Sequence, residues 1–248
     1  MTTDATPAAE RAARYDLRPP ARSLKYLEAR ALIEGASILP AAPWLLAQPR
    51  GDGRQIMVLP GFMFDDRSTW PLRRFLRYLG YESLPWHLGR NRGRPEHDAE
   101  LLARRLPEVR RPDEPITLIG WSLGGVVARL VAQTRPEAVR EVITLGTPVE
   151  GGPKYTAVGD RFARAQGIDL DEFEGHVHDI NREGVTAPVT AIYSRSDGIV
   201  GWRAAIDRYN THARHVRLPC SHLGMGVNPL VWRTIAQVLN GKSARPDG

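Results

Sequence analysis

Ser122, Asp197 and His222 are three residues whose types and order could carry out nucleophilic catalysis. Ser122 sits in Gly120-Trp121-Ser122-Leu123-Gly124, directly after the apolar run Ile116-Thr117-Leu118-Ile119 and before Val126, Val127, Leu130 and Val131 at helical spacing. A serine at a tight strand-to-helix turn needs small residues two positions to either side, and glycine fills both. A serine hydroxyl is almost fully protonated at neutral pH, so it attacks a carbonyl only with a base beside it. With a serine of this type the acid and then the histidine follow later in the chain, each on a loop after a later strand. Val189 to Tyr193 reads as a strand leading into Ser194-Arg195-Ser196-Asp197-Gly198, which makes Asp197 the candidate acid. His215 to Leu218 reads as a short strand leading into Cys220-Ser221-His222, which makes His222 the candidate base. His87 and His97 precede Ser122 and read as local structure.

Acyl transfer also needs backbone N–H donors where negative charge develops on the carbonyl oxygen. Leu123, next to the nucleophile, is one candidate, and Phe62 is the other, after the strand Gln55 to Leu59 and the turn Pro60-Gly61.

These motifs stand in the order of the α/β-hydrolase superfamily, which the chain resembles over roughly residues 53–240: Leu59-Pro60-Gly61-Phe62, the Ser122 pentapeptide, Ser196-Asp197-Gly198-Ile199-Val200 and Ser221-His222-Leu223-Gly224. The chain is most similar to compact bacterial esterases and lipases. The resemblance implies a serine hydrolase that cleaves a small-molecule carboxylic ester through Ser122, His222 and Asp197 and an acyl-enzyme. An acyltransferase or thioesterase using the same residues stays open, as does a non-catalytic binding protein on the same scaffold. Pro60 departs from the histidine found before the oxyanion glycine in many lipases, which weakens the case for triacylglycerol.

The elements that must position these residues follow from periodicity. Apolar strands alternate with helical stretches near 70–79 and 96–109, and the chain closes in a helix near 230–239, which predicts a mostly parallel sheet with helices on both faces. Residues 148–187, between two core strands, exceed an ordinary connection and read as a short cap inserted before the acid strand, with Tyr155, Phe162, Ile168, Leu170 and Phe173 as candidate acyl-pocket residues. In this region His176, His178 and Asp179 offer zinc ligands on a strand, but no cysteine or third histidine joins them. A solvated loop is expected instead, with no metal and no cofactor. Arg90, Arg92 and Arg94, on a loop after the second core strand, could hold an anionic group, although solvation is the default for such residues.

Residues 1–52 read as a tail and an extra helical segment, 53–240 as the core and 241–248 as a tail, with poor order expected over 1–20 and 242–248. Leu24, Leu27, Ala31 and Ile38 would form a packing face, with Trp44, Leu45 and Leu46 as an anchor. Packing against the protein or a partner is favoured, and the same face would serve peripheral contact with a membrane.

The formal charge of +6 comes from scattered arginines, with lysine only at 25, 154 and 242, and no basic stripe interleaved with aromatics points to nucleic acid. The single cysteine, Cys220, excludes an internal disulfide and reads as support for the histidine loop. No secretory signal or membrane span is evident, so a cytoplasmic location is expected, and the oligomeric state is left open.

Overall fold

The computed structural model of the protein describes residues 6–241. Six strands, β1 (Gln55–Leu59), β2 (Glu82–Pro85), β3 (Ile116–Trp121), β4 (Val139–Leu145), β5 (Val189–Tyr193) and β6 (Arg214–Arg217), form one sheet in the order β2-β1-β3-β4-β5-β6. All five neighbouring pairs are parallel. In the central strands every residue of β1, β3 and β5 is buried, as a sheet covered on both faces requires. Side chains alternate between the two faces: Ile56 and Val58 of β1 join Phe75, Ile119 and Trp232 in one core, while Met57 and Leu59 join Leu118, Val127 and Val142 in the other.

Two of the helices that cover those faces start where a side chain accepts from free N–H groups. α5 (Asp66–Tyr78) is capped by Asp65, and α10 (Pro229–Leu239) by Asn228. α6 (Pro95–Val109) opens on a proline, and α7 (Leu123–Thr134) begins at the residue after Ser122. Residues 148–187, read from the sequence as a cap, hold α8 (Gly159–Gln166) and α9 (Leu170–Asn181), the latter capped by Asp169. His176 and His178 therefore lie on a helix, not on a strand or a solvated loop. His176 meets Glu96 at 2.8 Å and His178 meets Tyr209 at 3.1 Å, so the two rings serve different partners.

The N-terminal region departs from expectation. Residues 1–5 and 242–248 lie outside the described residues, but part of the stretch expected to lack order is a helix, α1 (Pro7–Arg14), capped by Thr6. Its Arg11 guanidinium donates to the buried Glu150 carboxylate at 2.8 and 3.2 Å, and this bond ties the helix down. Beyond it come α2 (Leu24–Leu27), a 3-10 turn (Glu28–Arg30), α3 (Ala31–Ala36) and α4 (Ile38–Leu46); the 3-10 turn and α3 pack against the turn after His222, and α4 packs against α10. Ile38, Ala41 and Leu45 pack on the core, whereas Leu27, expected to face inward, is exposed. Trp44 and Leu46 are also exposed, so of the expected anchor only Leu45 is buried. Tyr26, Leu32, Ile33 and Leu39 form an outward apolar face, each at least 74% exposed.

Candidate active site

Ser122 is bent into φ +53°, ψ −123°, a conformation L-residues rarely adopt, between the end of β3 and the first turn of α7. Close approach of neighbouring backbone makes glycine obligatory on both sides. A Cβ on Gly120 would overlap Gly125, and one on Gly124 would lie 2.5 Å from the Leu59 carbonyl. The Ser122 N–H donates to Leu145 O at 2.8 Å, and the Ser122 carbonyl accepts from the Thr147 hydroxyl at 2.9 Å. The serine is thereby pinned to the end of the neighbouring strand.

Asp197 and His222 come together on the loops after β5 and β6. His222 Nδ1 lies 2.7 Å from Asp197 Oδ2, and both side chains are almost fully buried. The other Asp197 oxygen accepts from the Ile199 and Val200 N–H groups at 2.8 and 2.7 Å. Burial disfavours a charged imidazole, but the Asp197 charge, its hydrogen bond and then Glu28 outweigh that, so the His222 pKa is raised above the ordinary value. A cation forming on this ring is stabilised. The pair lies against Gly146, where a Cβ would be 3.0 Å from both Asp197 Oδ2 and His222 Nδ1. Gly146 directly follows Leu145, whose carbonyl holds Ser122. Trp121, on the other side of the serine, donates its indole N–H to the His222 carbonyl at 3.1 Å.

Phe62 and Leu123 line an apolar pocket together with Ser122. Gly61 brings the Phe62 loop close to the serine, since a Cβ there would lie 3.2 Å from Ser122 Cβ. Among the described residues, neither the Phe62 nor the Leu123 N–H has a hydrogen-bond acceptor, and the latter is one of the free donors at a helix start. The sequence did not single out Asn91, which fixes this loop. Asn91 is fully buried, donates to Pro60 O at 3.0 Å, and exchanges backbone bonds with Met63 and Phe64 at 2.7 and 2.8 Å. The arginines around it, Arg90, Arg92 and Arg94, are exposed, and an asparagine among such residues reads as solvated loop.

A family model described as alpha/beta hydrolase fold matches residues 59–177. Among solved structures, the monoacylglycerol lipase of Paleococcus ferrophilus aligns with a TM-score of 0.56 at 16% identity, over 79% of this chain and 97% of that one. MGS-MChE2, an alpha/beta hydrolase enzyme from the metagenome of lagoon sediments at Mar Chica, Morocco, aligns at 0.54 and 22% identity, over 77% and 91% of the two chains. Mouse alpha/beta hydrolase domain-containing protein 10 aligns at 0.55 and 18% identity, over 78% and 92%. No curated protein sequence matches the chain. The chain has the α/β-hydrolase fold.

Within that fold the cap segment closes over Ser122. Val149, Phe162, Phe173 and Val177 line the pocket with Phe62, and Phe162 meets the Phe62 ring edge-on at 5.6 Å between centroids. Of the five candidate acyl-pocket residues, Phe162 and Phe173 are there and Tyr155, Ile168 and Leu170 are not. Tyr155 is turned away because its hydroxyl donates to the buried Glu174 carboxylate, which Lys154 also meets. The Glu174 carboxylate is thus a structural acceptor within this segment. Cys220 beside the site is fully buried, and burial, with the charges of Glu34 and Asp197, pushes its thiol up to about 12. It packs within the core cluster two positions before His222. Among the described residues no helix is long and apolar enough to cross a membrane.

Proposed function

We propose that the protein is a serine hydrolase of carboxylic esters with Ser122 as nucleophile. The observation that carries this reading is the buried Asp197–His222 pair seated against Gly146, one residue beyond the carbonyl that pins the strained Ser122 turn. His222 takes the Ser122 proton as the oxygen forms a bond to the ester carbonyl carbon. The Phe62 and Leu123 N–H groups stabilise the resulting oxyanion. The protonated His222 then gives its proton to the departing alcohol as the carbon–oxygen bond breaks, leaving an acyl-serine. Water, deprotonated by the same imidazole, releases the acid. Asp197 holds the ring in the tautomer this cycle needs and stabilises its cation.

The pocket favours an apolar acyl group, because valine, leucine, isoleucine and phenylalanine make up most of its lining, although Glu96, Arg129, Thr156 and Asn181 also reach it. The outward apolar face of the extension supports a lipid surface as the place where the ester is met. That face adjoins the turn that begins at the exposed Leu223, beside His222, and the exposed Phe64 stacks on Trp121 at 4.9 Å.

Hydrolysis of p-nitrophenyl esters from acetate to palmitate, compared with Ser122→Ala, tests the assignment. Turnover should fall by about a million-fold in the variant, and a fluorophosphonate should label wild type alone. Equal turnover by both proteins would overturn it.

A further inference from the structure

Glu28 lies in the N-terminal extension, 94 positions before the nucleophile, counted as 122 minus 28. It is only 6% exposed. A buried carboxylate must be matched by donors, and the donors found are backbone N–H groups of the two loops that carry Asp197 and His222. Oε1 accepts from Gly198 N at 2.7 Å and from His222 N at 2.9 Å, and Oε2 accepts from Leu223 N at 2.8 Å. One side chain therefore bonds to the residue after the acid, to the histidine itself and to the residue after the histidine.

The neighbours of Glu28 repeat the pattern. Glu34 accepts from Ser221 N at 2.9 Å, and Arg30 pairs with Glu34 at 3.1 Å while donating to Ser196 O at 3.3 Å. The fit is close enough to explain two glycines: a Cβ on Gly198 would lie 2.4 Å from Leu24 O, and one on Gly224 would overlap the Glu34 carboxylate.

We propose that Glu28 is a positioning residue of the site: its carboxylate fastens the Asp197 loop to the His222 loop and sets a second negative charge behind the imidazole. The proposal rests on the serine-hydrolase reading for its kinetic consequence, but not for the contact between Glu28 and His222. The extension is then part of the apparatus that runs the base. The charge of Glu28 acts in the same direction as that of Asp197, raising the His222 pKa, but more weakly.

The test is Glu28→Gln in the full chain. The amide keeps the shape, removes the charge, and turns an NH2 towards a backbone N–H that needs an acceptor. We expect kcat to fall about 10- to 100-fold with KM within about twofold. The His222 ring titration, followed by NMR, should move to lower pH. Because the neutral imidazole is the base, the acidic limb of kcat/KM should move to lower pH with it. Glu28→Asp keeps the charge but is one methylene short of the amides, so it should restore most of the titration midpoint while kcat stays low. It also serves if the Gln variant does not fold. An unchanged midpoint in Glu28→Gln, or a loss of kcat that only tracks the loss of folded protein, would overturn the proposal. Absence of Ser122-dependent turnover in wild type would overturn the hydrolase reading alone, since the NMR midpoint still decides whether Glu28 acts on His222.

Discussion

Gly146→Ala perturbs the site from the end of β4 without replacing Ser122, Asp197 or His222. Gly146 has φ +56°, a conformation that costs an alanine about 1–2 kcal/mol. In a chain of this size that corresponds to roughly 2–8 °C in melting temperature. The added methyl would also stand 3.0 Å from Asp197 Oδ2 and His222 Nδ1 and 2.9 Å from Met225 Sδ, so the pair must retreat by about half an ångström to reach ordinary contact. Displacements of that order are expected to lower kcat/KM about 100-fold. Gly53→Ala separates the two effects, because Gly53 has φ +81° with nothing within 4 Å of its Cβ position, at the opposite end of the sheet. Thermal melts and p-nitrophenyl ester kinetics on both variants should show similar losses of stability but a loss of turnover in Gly146→Ala only. Wild-type kcat/KM in Gly146→Ala, alongside the expected melting shift, would mean that the placement of the Asp197–His222 pair does not govern the reaction.

Asp197→Asn should lower kcat about 10⁴-fold through the wrong imidazole tautomer, while Asp179→Asn, an exposed change on α9, should leave ester kinetics as they are. Because the folded His222 binds its proton more tightly than the ordinary histidine does, that protonation stabilises the fold fully below about pH 6.5 and ceases to do so as pH rises through the folded pKa. The stability of wild type relative to His222→Gln, measured by urea denaturation, should therefore shrink from acid to neutral and alkaline pH; a flat difference would contradict the raised value. Asn91→Ala leaves Pro60 O without its partner and should lower stability by about 1–3 kcal/mol and kcat by about 10- to 100-fold, read by denaturation and steady-state kinetics. Ile33→Asp, on the outward face, should reduce co-sedimentation with phosphatidylcholine vesicles while leaving hydrolysis of a soluble short ester as it is; unchanged sedimentation would remove the lipid-surface reading.

Sequence and structure agree where local rules decide. β1 and β5 run over the residues their apolar runs predict, because each is buried on both faces. Boundaries moved where a cap or a ladder overrode the apolar pattern. α5 starts at Asp66 and not near 70, since Asp65 supplies the cap, and the helix continues through Pro71 in its interior. β4 starts at Val139, where pairing with β3 begins, although Arg140 is exposed. The pairing of Asp197 with His222 matches the order of the motifs, because each strand of a parallel sheet delivers its loop to the same edge.

What stayed hidden is long-range and polar. Glu28 in a helical stretch reads as a solvated charge, and its three partners lie at 198, 222 and 223, beyond the reach of any local pattern. A signal was nevertheless present, since Leu24, Glu28, Ala31, Glu34 and Ile38 recur at helical spacing on one stripe, and two carboxylates on a packing face require buried donors. The glycines at 198 and 224, one position after Asp197 and two after His222, marked where another backbone or carboxylate comes close. The two features explain each other: loops free to carry glycine present unbonded N–H groups, and a carboxylate is the acceptor that can bridge several of them at once. Removing the extension would take from the Gly198, His222 and Leu223 amides the one carboxylate that joins them, so the two loops would lose that link to each other. On this reasoning the segment before β1 belongs energetically to the loops after β5 and β6, although it is remote from both in the chain.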